Sequence, residues 1–375
     1  MSLAVAAIGF EGKRVTGLIR ERGLRGVLFT SPENTFYTTG AHTLPGTGNP
    51  ILYALRNQAP TYSFVDEDGK VTLFIWAGAT LGLTYEGEDI RTFLEISGAE
   101  DELASFLGEL QGGKRIGVES TCPYWAYRTV EHIVGGENIV LADDVPLRLR
   151  LVKSEKELER MRTSTRIVEA AVSELASELH LGLSRMDLAQ KARQALVRHG
   201  GTAVDHLTMA FGSSNPEVIL DEKLARDQVV TLDLGAVYEG YVSDNRRLFY
   251  TAESLPGEMA DLHGKLLGIV DGVGAALLPG TSFSSLYSLG VDLYQKGGME
   301  PMFFHVGHSI GIQTEEAWIS AESDLKVEEN MVLNIELYAP HTSGVMIGDE
   351  ETFVIEKGGG TRITTLPREI GLVRN

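Results

Sequence analysis

The sequence predicts an α/β domain over residues 1–150, followed by a pseudo-symmetric α+β domain over residues 151–375. Three observations support this prediction. A chain of 375 residues is long for one domain and natural for two. Strand-like and helix-like segments alternate in the first part, which is typical of α/β domains. The second part contains two similar halves, which indicates an internal repeat.

The first domain is predicted from strands separated by helices. Residues 26–30 and 70–76 are apolar runs next to turn residues, and residues 114–119 form a third such run. A helical pattern around residues 101–110 lies between the second and third runs. This alternation favours the α/β class.

The second domain is predicted to begin near Arg150. Ser154 and Glu157 have the spacing of a capping box, in which each side chain binds the other residue's backbone amide. A second helix is predicted after Gly182, with Ser184 as its N-cap. The first helix carries apolar residues near one face: Leu158, Met161, Val168, Ala171, Val172 and Leu175.

The repeat is visible at both ends of the second helix. Residues 181–184 resemble residues 279–282, and residues 198–201 resemble residues 295–298. The offset is 98 positions at the first end and 97 at the other. Each half continues into two strand-like runs, so the domain is predicted to contain two matched helix–helix–hairpin units.

Asp233 and Asp244 lie on two strand-like runs joined by a turn at Glu239 and Gly240. Because the midpoint between the aspartates falls next to that turn, the hairpin should place them opposite or diagonal to each other. Aspartate is a poor strand residue, and like charges that face each other destabilise a sheet. A bound divalent cation would relieve this repulsion.

Glu336 and Glu350 repeat the arrangement in the second half. The midpoint between them is position 343, on the Ser343-Gly344 turn. The alternative interpretation is two solvated acidic hairpins on an acidic protein. The apolar neighbours of Asp233 and Glu336 favour buried acids and therefore a cation site.

His308 lies in a glycine-punctuated apolar run, residues 306–312. A single histidine in such a run is more often a core residue, but four nearby carboxylates favour a metal ligand. One imidazole and four carboxylates form an oxygen-rich donor set that suits Mn(II), Co(II), Fe(II) or Zn(II). Bridging carboxylates would hold two divalent metal ions about 3.5 Å apart and support hydrolysis of amide-like bonds.

The composition excludes several classes of partner and site. The formal net charge is −19, so we expect no binding to nucleic acid or to an anionic membrane. Cys122 is the single cysteine, which excludes an intrachain disulfide and a thiolate metal cluster. The chain shows no signal-peptide pattern and no run of 18 apolar residues, so a cytoplasmic location is expected.

Five segments in order carry a resemblance to a known superfamily: residues 232–235, 243–249, 307–311, 334–336 and 350–352. They resemble the prolidase, Xaa-Pro aminopeptidase, creatinase and methionine aminopeptidase superfamily, whose catalytic domain has the pita-bread fold. Residues 34–40 and 150–154 are similar to the N-terminal domain and the interdomain entry of the two-domain branch.

The resemblance implies metal ligands at Asp233, Asp244, His308, Glu336 and Glu350. It also implies an Xaa-Pro dipeptidase-like hydrolase that acts on a small peptide or amide, in which Glu336 transfers the proton, and a homodimer. Two alternatives stay open. One is a diverged non-peptidase enzyme of the same fold, creatinase-like and metal-independent. The other is a catalytically inactive binding module.

The chain departs from the family pattern at several positions. Where peptidases of the family carry Pro-His and His-Glu, residues 216–217 read Pro-Glu and residues 315–316 read Glu-Glu. His305 lies three residues before the metal histidine instead of four, and Gly348 replaces an arginine. His305 and Glu315 are secondary candidates for catalytic contacts with the substrate, and the alternative for both is ordinary loop polarity.

Arg246 stands where the family has a threonine that helps to hold a metal. Residues two apart in a strand share a face, so Arg246 should point to the same side as Asp244. Its guanidinium could pair with the carboxylates and replace a metal ion, or it could bind a substrate carboxylate above the metals. The sequence leaves both alternatives open.

Overall fold

A computed structural model describes residues 3–85, 89–110 and 115–374. The chain forms two compact units, Met1–Arg150 and Leu151–Asn375. Within the described ranges, no helix combines the length and the apolar character needed to cross a membrane.

The N-terminal unit consists of helices and mostly short strands. Its strands are β1 (Leu3–Val5), β2 (Leu24–Phe29), β3 (Tyr62–Asp66), β4 (Val71–Trp76), β5 (Leu83–Tyr85), β6 (Asp89–Phe93), β7 (Arg115–Val118) and β8 (Ile139–Leu141). Its helices are α1 (Gly12–Glu21), α2 (Pro32–Thr39), α3 (Pro50–Ala54), α4 (Ile96–Glu109), α5 (Tyr124–Val134) and α6 (Asp144–Leu151).

Six of these strands form one mixed sheet in the order β6-β4-β3-β2-β7-β8. The strands predicted at residues 26–30, 70–76 and 114–119 correspond to β2, β4 and β7, and Lys114 lies outside the described residues. The helix predicted around residues 101–110 is the second part of α4. The α/β class of this unit is confirmed.

The segment at residues 34–40 has a structural role within this unit. It forms most of α2, which ends at Gly40 with a left-handed φ of 72°. Asn34 donates a hydrogen bond to the buried carboxylate of Glu119 at 2.5 Å and accepts one from Arg150 at 2.8 Å. The motif therefore joins α2 to the strand end after β7 and to α6.

The C-terminal unit contains four long helices and ten strands among its described residues. The helices are α7 (Glu155–Glu178), α8 (Arg185–Arg198), α9 (Gly257–Ala275) and α10 (Phe283–Lys296). The strands are β9 (Ala203–Phe211), β10 (Val229–Tyr238), β11 (Tyr241–Val242), β12 (Asn245–Tyr250), β13 (His305–Ser309), β14 (Ala317–Ser320), β15 (Val332–Pro340), β16 (Met346–Glu356), β17 (Gly359–Arg362) and β18 (Gly371–Leu372).

Helix α7 begins where the sequence predicts it. The Ser154 side chain accepts a hydrogen bond from the Glu157 amide, and the Glu157 carboxylate accepts one from the Ser154 amide at 2.7 Å. Glu157 also accepts a hydrogen bond from the Tyr241 hydroxyl at 3.0 Å, which ties the helix start to β11. The predicted apolar face is buried along its length: Leu158, Met161, Val168, Ala171, Val172 and Leu175.

The two halves of this unit repeat the same backbone pairing. The Gly182 amide donates to the Leu224 carbonyl in the first half, and the Gly280 amide donates to the Val327 carbonyl in the second, each at 2.8 Å. Helices α8 and α10 both begin at a serine N-cap. The pseudo-symmetric α+β class predicted for this unit is confirmed.

Two five-stranded sheets form the centre of the unit. One contains β9, β10, β11, β12 and β18, and the other has the order β14-β13-β15-β16-β17. Buried Arg247 of β12 donates to the Glu350 carbonyl at 3.2 Å and pairs with the Glu351 carboxylate at 3.1 Å. This contact holds the aspartate hairpin beside the glutamate hairpin.

Candidate metal centre

Asp233 lies in the middle of β10. The β10–β11 turn consists of Glu239 and Gly240, whose φ angles of 48° and 87° are typical of a type I′ hairpin. Asp233 is directly opposite Arg246 of β12, and Asp244 comes one residue before β12. The two aspartates are therefore diagonal neighbours, as predicted.

Glu336 and Glu350 are direct partners in the β15–β16 ladder. The turn between these strands contains Gly344, which has a φ of 82°. The register predicted from the sequence is confirmed. Glu350 is fully buried and the Glu336 side chain is only 12% exposed, so two like charges face each other with little solvent to screen them.

His308 projects from β13 towards both hairpins. Its Nε2 atom lies 3.8 Å from Asp244 Oδ2 and 3.8 Å from Glu336 Oε2. Gly307 allows the close approach of β13 to β15, because a Cβ atom there would lie 2.0 Å from the Asn334 carbonyl oxygen. A side chain at this position would push His308 away from the acids.

Two overlapping groups of side chains each have ligand atoms within 4.8 Å of one another. The His308 cluster is Asp244, His308 and Glu350, and the His206 cluster is His206, Asp233 and Asp244. In the His308 cluster, buried Nε2 of His308 and Oε2 of Glu350 have no hydrogen-bond partner among the described residues. Such atoms are normally paired. An unpaired imidazole nitrogen beside carboxylate oxygens is the donor set of a divalent cation, so these residues fit a metal ion.

The same burial raises the pKa values of two acids. Burial, with the charges of Asp244 and Asp233, raises the pKa of Glu336 to about 7, although His308 acts in the opposite direction. Burial also raises the pKa of Glu350, and the charges of Asp244 and Glu336 add to the effect. Protons therefore compete with a metal ion for these carboxylates near neutral pH.

We expect the stabilisation by metal to grow with pH. Glu336 has a pKa of about 7 in the folded chain against an ordinary 4.5, so the folded state binds more protons between these values. The stability of the metal-free protein should therefore fall as pH rises through this window. Scanning calorimetry with and without Mn(II) should show a larger rise in Tm at about pH 8 than at about pH 5.5. Equal metal-induced shifts at both pH values would contradict the assignment of Glu336 to the site.

Arg246 makes the ion pair that the sequence allowed. Its guanidinium donates to Asp233 Oδ2 at 2.9 Å and to the Tyr338 hydroxyl at 3.1 Å, and it lies 4.5 Å from the centre of the Tyr338 ring. Burial alone would raise the pKa of Asp233, but His206 and Arg246 outweigh it and the pKa is lowered. Arg246 is 6% exposed, which does not favour contact with a substrate carboxylate.

His305 and Glu315 lie near the His308 cluster but outside both ligand groups. The His305 ring centre is 4.5 Å from that of Trp318. Burial and then the charge of His308 lower the pKa of His305 to about 4, so the ring is neutral at physiological pH. Burial raises the pKa of Glu315, and the charge of Asp244 acts in the same direction, although His308 opposes them.

Two further departures from the family pattern, Glu316 and Glu217, belong to neither ligand group. Glu316 forms a buried ion pair with Lys153 at 3.1 Å and accepts a hydrogen bond from the Ile312 amide. Glu217 is exposed, and its amide donates to the Asn215 side chain. Glu315 is electrostatically coupled to the cluster, whereas the Glu316 carboxylate pairs with Lys153.

His206 is a further candidate ligand that lies outside the five predicted positions. Its Nε2 atom lies 3.4 Å from Asp233 Oδ1 and 3.2 Å from Asp244 Oδ1. A signal existed, because Thr208 of β9 is directly opposite Asp233, and a residue two positions away along a strand faces the same side. Recognising β9 as the neighbour of β10 would have placed His206 beside the aspartates.

The chain belongs to metallopeptidase family M24, whose sequence model matches residues 159–363. Residues 13–152 match the creatinase/prolidase N-terminal domain. A curated relative, the Xaa-Pro dipeptidase of Pyrococcus horikoshii, is 26% identical over 368 residues, which cover 96% of this chain and 97% of that protein. The Xaa-Pro dipeptidase of Pyrococcus furiosus is also 26% identical, over 96% of this chain and 98% of its own length.

Solved structures show the same fold. The prolidase of Pyrococcus horikoshii has a TM-score of 0.80 at 22% identity and covers 96% of this chain and 99% of its own. The X-Pro aminopeptidase of Thermotoga maritima has a TM-score of 0.79 at 23% identity, with 97% and 99% covered. The two-domain architecture expected from the resemblance is confirmed.

Proposed function

We propose that this protein is a metal-dependent peptidase that cleaves small peptides of the Xaa-Pro type. The observation that carries the proposal is the His308 cluster, which contains a buried imidazole nitrogen and a buried carboxylate oxygen without hydrogen-bond partners among the described residues. The curated relatives that cover nearly the whole chain are named Xaa-Pro dipeptidases. These names favour a peptidase over a creatinase-like enzyme or an inactive binding module.

The proposed metal ligands are Asp233, Asp244, His308, Glu336 and Glu350. When bound, a divalent metal would lower the pKa of a water molecule and polarise the scissile carbonyl. The oxygen-rich donor set suits Mn(II), Co(II), Fe(II) or Zn(II). A homodimer and a cytoplasmic location stay predictions from the sequence.

Glu336 is the proposed group for proton transfer. Its Oε2 atom lies 3.8 Å from His308 Nε2, beside the proposed metal position, so this carboxylate would accept a proton from the attacking water and donate one to the leaving amine. The Tyr338 hydroxyl donates a hydrogen bond to Glu336 Oε1, which leaves Oε2 directed at the cluster. The Glu336 carboxylate is thus held in one orientation, both for accepting the proton and for donating it.

The surroundings of the cluster offer substrate contacts of two kinds. Phe303 and Phe304 are 45% and 60% exposed, and Phe303 stacks on His305 while Phe304 contacts it edge to face, which gives an apolar wall beside the site. Glu315 is an exposed acid coupled to the cluster, and it suits the ammonium group of a peptide's first residue. A short peptide with an apolar side chain would contact the apolar wall through that side chain and Glu315 through its ammonium group.

The proposal is tested by hydrolysis of a substrate panel with metal-free and metal-loaded protein. Mn(II), Co(II) or Zn(II) should raise cleavage of Gly-Pro and Ala-Pro by about 10³-fold or more over metal-free protein. Ala-Ala and creatine serve as controls for proline selectivity and for the creatinase-like alternative. Turnover of creatine without metal, or no turnover of any peptide with all three metals, would overturn the proposal.

A further inference from the structure

We propose that His206 is a ligand of a second metal ion, which it holds together with Asp233 and Asp244, and that Asp205 orients its imidazole. The proposal rests on the metal-dependent function proposed above. It adds a ligand that the five predicted positions do not include.

The His206 ring is placed between the two aspartates. Its Nε2 atom lies within 3.4 Å of one oxygen of Asp233 and within 3.2 Å of one oxygen of Asp244. The two carboxylates come from β10 and from the segment before β12, while the imidazole comes from β9. One nitrogen and two carboxylate oxygens that converge from three segments form the donor set of a divalent site.

Asp205 fixes the orientation of this imidazole. Asp205 Oδ2 lies 2.8 Å from His206 Nδ1, and the Thr314 hydroxyl donates to the same oxygen. A carboxylate that accepts the Nδ1 proton sets the tautomer, so in the neutral ring that a metal ion requires the lone pair of Nε2 would point at the aspartates. This carboxylate–histidine arrangement is typical of metal-binding histidines.

Arg246 occupies a different side of Asp233. The guanidinium contacts Oδ2, whereas Oδ1 faces His206. Gly348 leaves room for this arrangement, because a Cβ atom there would lie 2.9 Å from Arg246 Nε. Arg246 thus occupies one oxygen of Asp233, and the neutral form of His206 would supply a replacement donor without adding charge.

The test compares the metal content of the full chain and three variants. Protein treated with a chelator is loaded with Co(II) at one fixed free concentration and then assayed by elemental analysis. We expect two ions per chain in the wild type and one in His206→Ala, with an affinity for the lost ion about 100-fold lower or more. Asp205→Asn should lower the affinity for that ion about 10-fold. The matched control His199→Ala, which removes an exposed histidine paired with Glu174, should behave as wild type.

Proton NMR of the Co(II)-loaded protein gives a readout that does not depend on activity. Imidazole N–H protons next to a bound Co(II) ion resonate far outside the normal protein range. We expect two such signals in the wild type, from His206 and His308, and one in His206→Ala. Asp205→Asn keeps the size of the side chain, so it carries the test if His206→Ala does not fold.

Three results would overturn the proposal. Metal content and NMR signals in His206→Ala that equal those of the wild type would exclude His206 as a ligand. One ion in the wild type and two in Arg246→Thr would show that Arg246 fills the second position, while the proposed peptidase function stands. No bound metal in any protein would overturn both this proposal and the proposed function.

Discussion

Replacing Glu350 by glutamine should abolish peptide hydrolysis and, in metal-free protein at alkaline pH, raise the stability. Glu350 is fully buried opposite Glu336, and its Oε2 atom has no hydrogen-bond partner among the described residues. The substitution keeps the hydrogen bond that Asn334 donates to Oε1 at 2.6 Å and removes a carboxyl group that repels Glu336 once both are ionised above their raised pKa values. We expect kcat/KM to fall at least about 10³-fold with loss of metal. At alkaline pH, removal of the repulsion should contribute roughly 1 kcal/mol to the unfolding free energy of the metal-free protein.

The neighbouring acid provides the matched control. Glu351 is equally buried, but it pairs with Arg247 and with Arg368, each at 3.1 Å. Glu351→Gln should therefore lower the stability by about 3 kcal/mol, because it leaves buried cations with a weaker partner. Urea denaturation of the two metal-free variants separates the roles. If Glu350→Gln were destabilised as much as Glu351→Gln, Glu350 would be a structural acid and not a metal ligand.

Glu316→Ala should cause the largest loss of stability in the C-terminal unit. Lys153 Nζ lies 3.1 Å from Glu316 Oε2, and the two side chains are 1% and 0% exposed. Removal of one partner of a buried ion pair costs about 3–5 kcal/mol, because the other charge stays buried. For a unit of this size the apparent Tm should fall by about 10 °C in scanning calorimetry.

Glu315→Ala is the control for that variant. Glu315 is the adjacent acid but it is exposed, so its removal should change stability by less than about 0.5 kcal/mol. Because Glu315 is coupled to the cluster, KM for a dipeptide should rise while the Tm stays the same. Equal losses of Tm in the two variants would contradict the assignment of Glu316 to the structure and of Glu315 to the substrate.

The pairing of Glu336 with Glu350 could be predicted because both residues lie on one hairpin. Its two strands pair without a bulge, so a turn at the midpoint of the two residues is enough to place them opposite each other. The aspartate hairpin was harder, since β12 begins only after Asp244 and the direct partner of Asp233 is Arg246. Strand alternation placed Arg246 on the face of Asp244, but it left open whether the guanidinium pairs with Asp233 or binds a substrate carboxylate.

His206 could not be predicted by the same reasoning. The pairing of β9 with β10 is non-local and contains an irregularity between Leu234 and Ala236, so no turn fixes its register. Residues 315–316 show a similar limit. The two glutamates are adjacent in the sequence, and nothing local shows that Glu316 pairs with buried Lys153 while Glu315 is exposed.

Anomalous diffraction from a crystal grown with Mn(II) or Zn(II) tests the central claim most directly, because it locates the ion itself. We expect an anomalous peak about 2.0–2.3 Å from His308 Nε2, at a metal ion that also contacts Asp244 and Glu350. The second peak expected from the further proposal would lie beside His206. An absence of anomalous density at His308, at metal concentrations that support hydrolysis, would contradict the claim that this cluster is the metal centre.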